Sequence, residues 1–456
     1  MSAGSAVPAP GHGTTGDGAP PGRAHLPGGR EGGARGRAEE RSDVVVVGGG
    51  LTGLAAAVRV ARGAAGRRVL LLEAAGELGG RARTTEQDGY RLGLGPRALY
   101  RTARAELRVL GVAVPGRAPR LGGALALCDG ALHPGYAAPG PLLRTGLLAP
   151  RERLAVARLL GLSRPHPGLA GLDVEAWLGE RLPTARARQA AFAVLRLSTY
   201  TGSPAMIGAD ALAAHFAEVR RGVTYVDGGW RTLVDALRAR ARSAGVQVRA
   251  AARVTAVEAG ERPRVVVADS GAVRARAVIL AGPAQRTAWQ LLDLDDAQPD
   301  PAGRSLRTAC LDVALSRLPA PDRSLVYGVD EPLYLSVFSR TARLAPPGGA
   351  VLHLARYDDG AGLGPDEVRK RLYDLLDLCQ PGWRDALVHE RFLPRITTMT
   401  AVPQARHGGL RGRPGPEVSG RPGVYVAGDW VGPRGLLADA CLLSAARAAE
   451  RALAQL

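Results

Sequence analysis

The chain has 456 residues, 46% of them apolar and 22% charged, a globular balance that excludes collagen, coiled coils and wholesale disorder. Its formal net charge is +18, but all except one of the 60 cationic residues are arginines spread along the chain, which favours a GC-rich genome over a nucleic-acid-binding surface. Four widely separated cysteines, no secretory signal and no apolar stretch long enough to span a membrane predict a protein of the reducing cytoplasm.

The first elements of the chain follow a disordered tail, which is predicted for residues 1–41 because they contain few large apolar side chains. Residues 43–47 are typical of a buried parallel strand, and a glycine-rich turn at residues 48–53 follows directly. An Ala-rich helix over 54–64 and a second buried strand over 68–72 complete one βαβ unit.

The rest of the chain alternates between amphipathic and buried apolar patterns, without an internal repeat. Helices are predicted over 150–162, 174–182, 185–197, 209–219, 365–379 and 436–453, with one more that ends near residue 241. Strands are predicted over 223–226, 246–257, 264–268, 277–281, 308–315, 333–338, 351–357 and 423–427.

The glycine-rich turn has the spacing G-x-G-x-x-G, with Gly48, Gly50 and Gly53 directly between a strand and a helix. The first glycine permits a tight turn, the second lets the backbone approach a pyrophosphate, and the third lets helix and strand pack closely. Glu73, at the end of the next strand, is placed to bind adenosine ribose hydroxyls and disfavours the 2′-phosphate of NADP. A glycine turn in a non-binding α/β domain is the alternative.

Two further segments favour a flavin over a nicotinamide cofactor. Residues 79–84 form a second glycine-rich turn, in which Arg81 can face a pyrophosphate. Near the other end of the chain, Gly428 and Asp429 follow a buried strand and precede a helix. An Asp at that position can bind a sugar-alcohol chain, and a helix N-terminus can stabilise a reduced, negatively charged ring.

These motifs together resemble the superfamily of flavin-containing amine oxidases, phytoene desaturases and protoporphyrinogen oxidases, and most closely its bacterial phytoene-dehydrogenase-like members. The resemblance extends over roughly residues 43–456. Its matching segments are 44–53 with Glu73, 79–84, 93–100 (GLGPRALY), 225–237 (YVDGGWRTLVDAL), 254–257 and 424–440 (VYVAGDWVGPRGLLADA).

The resemblance implies an α/β fold with a discontinuous, Rossmann-like FAD-binding domain and an inserted substrate domain of mixed sheet and helix. The FAD-binding domain is expected to comprise residues 42–125, 222–290 and 417–456. The substrate-binding domain is expected to comprise residues 126–221 and 291–416.

The resemblance also implies a set of FAD contacts; no metal site is expected, because the sequence has no CxxC and no Cys/His cluster. The resemblance implies that the pyrophosphate contacts the first glycine turn, with Gly80 and Arg81 nearby: Gly48, Gly49, Gly50, Leu51, Thr52 and Gly53. It implies that the adenosine contacts Glu73 and the backbone of Val254, and that the ribityl chain and phosphate contact Gly428 and Asp429. The flavin ring is expected to lie over Leu436 and Leu437, with Gly95 and Pro96 on its substrate side.

The chain departs from the superfamily at two points. Many of its amine oxidases place a lysine near flavin N5, whereas the one lysine here, Lys370, lies in a charged helix and is expected to face solvent. Some members tether the flavin through a Ser-Gly-Gly-Cys stretch, which this sequence lacks. Cys441 is expected to be a small packed side chain, so noncovalent FAD is predicted.

No catalytic residue is assigned from the sequence, because hydride transfer to a flavin needs no protein nucleophile. His215 and His407 are considered as a base, although a core or loop histidine explains each of them better. Four tyrosines are either pocket-lining or strand-packing side chains: Tyr200, Tyr225, Tyr334 and Tyr357.

The resulting prediction is an FAD-dependent oxidoreductase that takes two electrons from a largely apolar small molecule and passes them to oxygen or another acceptor. A flavin-dependent isomerase and a non-redox carrier similar to the prenyl-binding GDP-dissociation inhibitors are the alternatives. The Arg- and Leu-bearing helix around Leu154 suggests a peripheral membrane contact, for which ordinary helix burial is the competing interpretation.

Overall fold

The computed structural model describes residues 40–64, 66–119, 123–162, 164–294 and 304–456. The predicted tail therefore lies outside the described residues up to residue 39. The helices in the described ranges are α1 (Leu51–Gly63), α2 (Arg101–Val109), α3 (Pro139–Arg144), α4 (Pro150–Leu162), α5 (Val174–Arg181), α6 (Ala185–Thr199), α7 (Ala209–Arg220), α8 (Arg231–Ser243), α9 (Gln285–Leu291), α10 (Pro365–Cys379) and α11 (Leu437–Ala454).

The strands are β1 (Glu40–Arg41), β2 (Val44–Val47), β3 (Val69–Leu72), β4 (Thr84–Gln87), β5 (Tyr90–Gly93), β6 (Leu99–Tyr100), β7 (Gly116–Arg117), β8 (Leu125–Cys128), β9 (Ala131–Pro134), β10 (Val223–Val226), β11 (Gln247–Arg249), β12 (Val254–Glu258), β13 (Arg264–Val267), β14 (Gly271–Arg274), β15 (Ala277–Ala281), β16 (Leu306–Leu315), β17 (Leu325–Gly328), β18 (Leu333–Val337), β19 (Ala350–Tyr357), β20 (Leu387–Met399) and β21 (Val424–Ala427).

A five-stranded sheet, parallel throughout, has the strand order β11–β3–β2–β15–β21. Its central strands are runs of Val, Leu, Ile and Ala that are covered on both faces, which is why their sequences do not alternate. Helices α1, α8 and α11 pack on one face, and the antiparallel strands β12–β14 pack on the other. The carboxyl ends of strands from three distant parts of the chain consequently meet at one edge.

A seven-stranded mixed sheet has the order β20–β16–β19–β18–β17–β8–β9, and only its β17–β8 pair is parallel. Helix α10 covers one face, where Leu372 and Leu376 meet Leu311 and Leu354. Helices α6 and α7 lie in the core on the other face. The predicted mixed α/β fold class is thereby confirmed, whereas the predicted domain boundaries stay a prediction.

Several elements differ from those expected. Glu40 and Arg41, placed in the disordered tail, form a strand that pairs with Val273 and Arg274, a partner that composition cannot reveal. Helix α1 begins at Leu51, directly after the glycines, rather than at residue 54. The strand expected over 246–257 is two strands, because the chain breaks at Ala251, whose φ is +53°.

Strand β20, of 13 residues, was not predicted from the sequence. It lies at the edge of its sheet, where one side faces solvent, so charged residues and a proline are tolerated and the apolar pattern is weak. All four cysteines are free and buried. None of the helices in the described ranges is both long and apolar enough to cross a bilayer.

Candidate active site

The glycine-rich turn joins β2 to α1 at the carboxyl edge of the parallel sheet. Gly48 has a φ of +108°, and a Cβ there would lie 2.2 Å from the Ala281 carbonyl oxygen. A Cβ on Gly53 would lie 1.8 Å from the Gly48 carbonyl oxygen. These two glycines are therefore required by the packing of the turn itself, before any ligand is considered.

The N-terminus of α1 is open to an anion. Its first residue is preceded by Gly50, and no side chain caps the helix. The first backbone N–H to bond within this turn is that of Leu54, which donates to the Gly50 carbonyl. The amides of residues 50–53 have no backbone acceptor among the described residues, so they present a ready phosphate site.

Glu73 lies beside this turn, and backbone amides fix its carboxylate. The Gly49 N–H donates to one oxygen at 2.6 Å, and the Ala75 N–H donates to the other at 2.8 Å. A carboxylate with two oxygens accepts more than two hydrogen bonds, so acceptor capacity remains for a ligand. Glu73 lines the cavity, whereas Gly49, whose amide it accepts from, does not.

Arg81 and Asp429 form a bidentate ion pair that links the second glycine turn to the end of β21. The guanidinium donates to the two carboxylate oxygens at 2.9 and 3.0 Å, and Thr400 donates to the same carboxylate through its N–H and its hydroxyl at 2.9 and 2.5 Å. Burial alone would raise the pKa of Asp429, but Arg81 and Thr400 hold it below its usual value. The Asp429 carboxylate is therefore ionised and engaged within the protein.

One cavity of about 520 Å³ runs along this edge of the sheet. Ten of the sixteen residues named from the sequence line it: Gly48, Gly50, Leu51, Thr52, Glu73, Gly80, Arg81, Pro96, Val254 and Leu437. The other six lie behind its wall: Gly49, Gly53, Gly95, Gly428, Asp429 and Leu436. Such a volume is ordinary for a cofactor or small-molecule site.

The residues behind the wall are constrained by packing. A Cβ on Gly95 would lie 2.5 Å from Cys310 Sγ, and one on Gly428 would lie 2.9 Å from the Trp430 indole nitrogen. Leu436 is fully buried. The roles proposed for these residues at FAD stay predictions.

A family model described as flavin containing amine oxidoreductase matches residues 51–453. The chain belongs to this family. It is accordingly an FAD-dependent oxidoreductase and not the non-redox carrier considered as an alternative. No curated protein matches its sequence.

Solved structures share its fold at low sequence identity. A candidate protoporphyrinogen oxidase from Exiguobacterium sp. 255-15 is 20% identical and has a TM-score of 0.68, covering 92% of this chain and 100% of its own. An oxidoreductase from Methanosarcina mazei is 18% identical and has a TM-score of 0.68, covering 88% of this chain and 98% of its own. The cyclohexylamine oxidase of Brevibacterium oxydans IH-35A is 17% identical and has a TM-score of 0.65, covering 91% of this chain and 98% of its own.

The cavity of this family member fits FAD. Open amides at the α1 N-terminus and the Arg81 guanidinium suit a pyrophosphate, and the fixed Glu73 carboxylate suits a ribose. A Cβ on Gly50 would meet only the Gly79 carbonyl oxygen, at 3.8 Å, so at this position the missing side chain leaves room for a ligand.

Leu437, at the start of α11, is a strained residue of the cavity wall. Its φ of +52° is unusual for a leucine and costs free energy, so the conformation persists only where the surroundings enforce it. The position coincides with the helix N-terminus that the resemblance places at the flavin ring. Strain of this kind is concentrated at functional sites, which agrees with the predicted role of Leu437.

The sequence missed several residues that line the same cavity, among them Leu94, Arg97, Trp230 and residues 396–398 of β20. Arg97 donates to the Leu94 carbonyl at 3.1 Å, and its guanidinium lies 5.5 Å from the Trp230 ring centre. Burial lowers its pKa to about 10, so it is cationic at neutral pH. Arg97 lies inside the GLGPRALY segment, so the resemblance could have identified it as a cavity residue. Residues 396–398 lie in no matching segment.

The two candidate histidine bases do not line the cavity. His215 is 2% exposed, its Nε2 lies 3.0 Å from the Ser198 carbonyl, and burial lowers its pKa to about 4. Of the four tyrosines, Tyr200 lines the cavity and donates to the Pro96 carbonyl at 3.1 Å. Tyr225 stacks on Phe338 behind it, with ring centres 4.1 Å apart.

Proposed function

We propose that this FAD-dependent oxidoreductase takes a hydride from a largely apolar, nitrogen-free small molecule, with FAD held noncovalently. Bound FAD would supply the hydride acceptor. The observation that carries the proposal is a single cavity that begins at the phosphate-binding turn and continues to a wall of Leu94, Pro96, Tyr200 and Ile396.

The lining of the cavity supports the absence of a protein base. Among the described residues that line it there is no histidine and no lysine, and Glu73 is the one carboxylate. Glu73 is already placed at the phosphate-binding turn, so it is not available at the substrate end. The chain would then act by orienting the substrate, and a solvent water would accept the proton that accompanies the hydride.

Two cationic side chains argue against an amine substrate. Lys370 lies on α10, where its ammonium donates to Asp374 at 2.8 Å and faces solvent, so it holds no water near the flavin. Arg97 lies in the cavity wall as a cation, and a protonated amine there would meet a like charge. This combination supports a position nearer the phytoene-dehydrogenase-like members than the amine oxidases.

Noncovalent binding is supported by the state of Cys441, the one cysteine that lines the cavity among the described residues. Burial raises the pKa of its thiol to about 11, so at neutral pH it is protonated and unreactive. Acid precipitation should release all the flavin into the supernatant. Flavin retained in the pellet would contradict the noncovalent assignment.

Anaerobic reduction of the bound flavin tests the substrate class. The probes are nitrogen-free apolar compounds with a saturated bond beside a conjugated system, each matched with a primary amine of the same size. We expect the nitrogen-free compounds to bleach the flavin absorbance faster, and the Arg97→Met variant to narrow that difference. The control is Arg253→Met, which removes a cation from the same cavity beside Val254, at the expected adenosine end.

The outcomes of this experiment separate the remaining alternatives. Faster reduction by the amines would overturn the proposal and favour an amine oxidase. Turnover of the nitrogen-free compound without any electron acceptor would favour the isomerase. Rapid reoxidation in air would identify oxygen as a sufficient acceptor, whereas slow reoxidation would indicate another one.

A peripheral membrane contact is a further part of the proposal. Leu154 of α4 is 46% exposed between the exposed Arg151 and Arg158, and Leu143 of α3 is 54% exposed nearby in the chain. Such a surface suits an anionic bilayer. Leu154→Ser should reduce cosedimentation with anionic vesicles, whereas Val109→Ser, at a more exposed site on α2, should not. Equal binding by the parent protein and both variants would contradict the contact.

A further inference from the structure

A second cavity, of about 310 Å³, lies between the loop of residues 76–84, helix α8 and strand β11. We call it the arginine cavity. Its apolar wall comprises Leu78, Ala82, Val234, Val246 and Val248. Ala82 also lines the FAD cavity, so the two cavities are neighbours. Nothing in the hydride-transfer function uses the arginine cavity.

Four guanidinium groups line this cavity. Arg231, Arg238 and Arg242 lie along one face of α8, and Arg83 faces them from the loop. Two carboxylates, Glu77 and Asp235, also line it, which leaves two positive charges in excess. The lining thus combines cations with an apolar wall.

Most of this positive charge has no protein partner. Arg231 pairs with Asp235 at 3.4 Å. Arg83, Arg238 and Arg242 form no side-chain hydrogen bond or ion pair with any residue in the described ranges. By contrast Arg240, on another face of the same helix, donates to the Gly111 carbonyl at 3.0 Å. Three neighbouring cations without partners, around a concave space, are suited to an anionic ligand.

The chemistry of the lining narrows the ligand class. Guanidinium groups bind phosphate oxygens in a bidentate manner, and several of them can neutralise a dianion. A bare ion would make no contact with the apolar wall, whereas a ring or a short chain can pack against it. A volume of about 310 Å³ is at the lower end of the range for small-molecule sites, enough for one small organic molecule.

We propose that the arginine cavity binds a phosphate monoester that carries a small apolar or aromatic body. The phosphate lies among Arg83, Arg238 and Arg242, and the body packs against Val234, Val246 and Val248. Because this site is separate from the hydride-transfer cavity, the proposal does not depend on the substrate class proposed above.

Phenyl phosphate tests the proposal, with binding to the FAD-loaded protein followed by ³¹P NMR and calorimetry at fixed ionic strength. FAD occupies the phosphate-binding turn of the neighbouring cavity, so the probe cannot bind its phosphate there. We expect saturable binding at one site. Inorganic phosphate, which lacks the body, and phenol, which lacks the charge, should each bind at least tenfold more weakly.

Variants locate the site. Arg238→Gln combined with Arg242→Gln should weaken phenyl phosphate binding at least tenfold while FAD content and melting temperature stay unchanged. The matched control is Arg104→Gln combined with Arg108→Gln, two exposed arginines at the same spacing on α2, outside both cavities. The Lys versions of Arg238 and Arg242 keep the charge but lose bidentate geometry, so intermediate binding is expected.

Three results would overturn the proposal. Equal weakening by the α2 control would show that the net charge of the protein, and not the cavity, attracts the probe. Equal affinity for inorganic phosphate and phenyl phosphate would show that the apolar wall takes no part. Failure of phenyl phosphate to bind the FAD-loaded protein would remove the site altogether, whether or not the hydride-transfer proposal holds.

Discussion

Glu73 and Asp429 both follow strands of the parallel sheet, yet the protein holds their carboxylates in different ways. Two backbone amides hold Glu73, which is partly exposed and faces the cavity. Arg81 and Thr400 hold Asp429, which is fully buried behind the wall. An acid held by amides keeps its charge for a ligand, whereas an acid paired with a guanidinium has that charge neutralised. Sequence position alone does not distinguish the two.

The largest effect is expected at the buried pair. Asp429→Ala would leave Arg81 without its counter-charge and Thr400 without its acceptor. Removing one partner of a buried pair costs about 3–5 kcal/mol, and this is an upper limit here because the Arg81 side chain is 34% exposed. The variant should unfold at lower denaturant concentration and lose FAD. Urea unfolding and the ratio of flavin to protein absorbance measure the two effects.

A double-mutant cycle shows whether Asp429 acts through Arg81. Arg81→Met alone leaves a buried carboxylate uncompensated and should also destabilise. The double variant should then be less destabilised than the sum of the two single variants. Additive effects would mean that Asp429 serves FAD directly, as its predicted ribityl contact implies, and not by positioning Arg81.

Asp439, in the first turn of α11, is a third acid, and no cation pairs with it in the described residues. The Ala103 N–H donates to one of its oxygens at 2.7 Å, and the other oxygen has no partner. Burial raises its pKa from 3.8 to about 7. Its contribution to stability is therefore complete below the unfolded pKa and is lost as the pH rises through the folded pKa.

The size of this loss is at most about 4 kcal/mol, from three pKa units. Asp439→Asn should flatten the decline in melting temperature between about pH 4 and pH 7 relative to the parent protein. Asp374→Asn, a change to an exposed carboxylate on α10, is the control and should leave the profile intact. A profile that is the same in all three proteins would show that Asp439 does not titrate in this range.

A smaller effect is expected at Glu73. Glu73→Ala should weaken FAD roughly ten- to a hundredfold, since a charge-assisted hydrogen bond contributes about 1.5–3 kcal/mol. Turnover at saturating FAD should hardly change, because the predicted contact is at the adenosine and not at the reacting ring. Glu86→Ala, which removes an exposed carboxylate paired with Arg91, is the control. Equal FAD affinity in both variants would contradict the ribose assignment.

The sequence predicts the local contacts of this molecule, such as those around Glu73, better than its long-range contacts, such as those of Asp429. The βαβ unit, its glycine turn and Glu73 were predictable because the motif is local and each glycine has a steric reason to be there. Residues 396–398 of the cavity wall were not, because they lie on β20, an edge strand whose polar pattern hides it.

Long-range pairing accounts for the remaining misses. The Arg81–Asp429 contact joins residues 348 positions apart, and the sequence around either residue does not identify the other as its partner. The predicted strand over 246–257 was divided by one residue in the left-handed region, which no apolar pattern encodes. Local sequence therefore placed the acids at their strand ends, while the tertiary partners decided what each acid can do.

The smallest expected effect concerns the Glu73 edge of the sheet. Glu40 forms an exposed ion pair with Arg249, whose carbonyl accepts from the Glu73 N–H at 2.9 Å. Deleting residues 1–39 should leave stability and FAD content unchanged, as composition predicts. Deleting residues 1–41 also removes β1 and this pair, and should cost about 1 kcal/mol or less more, the usual value of an exposed ion pair. Urea unfolding of both truncations measures the difference.

A loss of FAD affinity in the longer deletion as large as that of Glu73→Ala would mean that Glu40 helps to hold Glu73 in place. Glu73 would then depend on long-range pairing as much as Asp429 does.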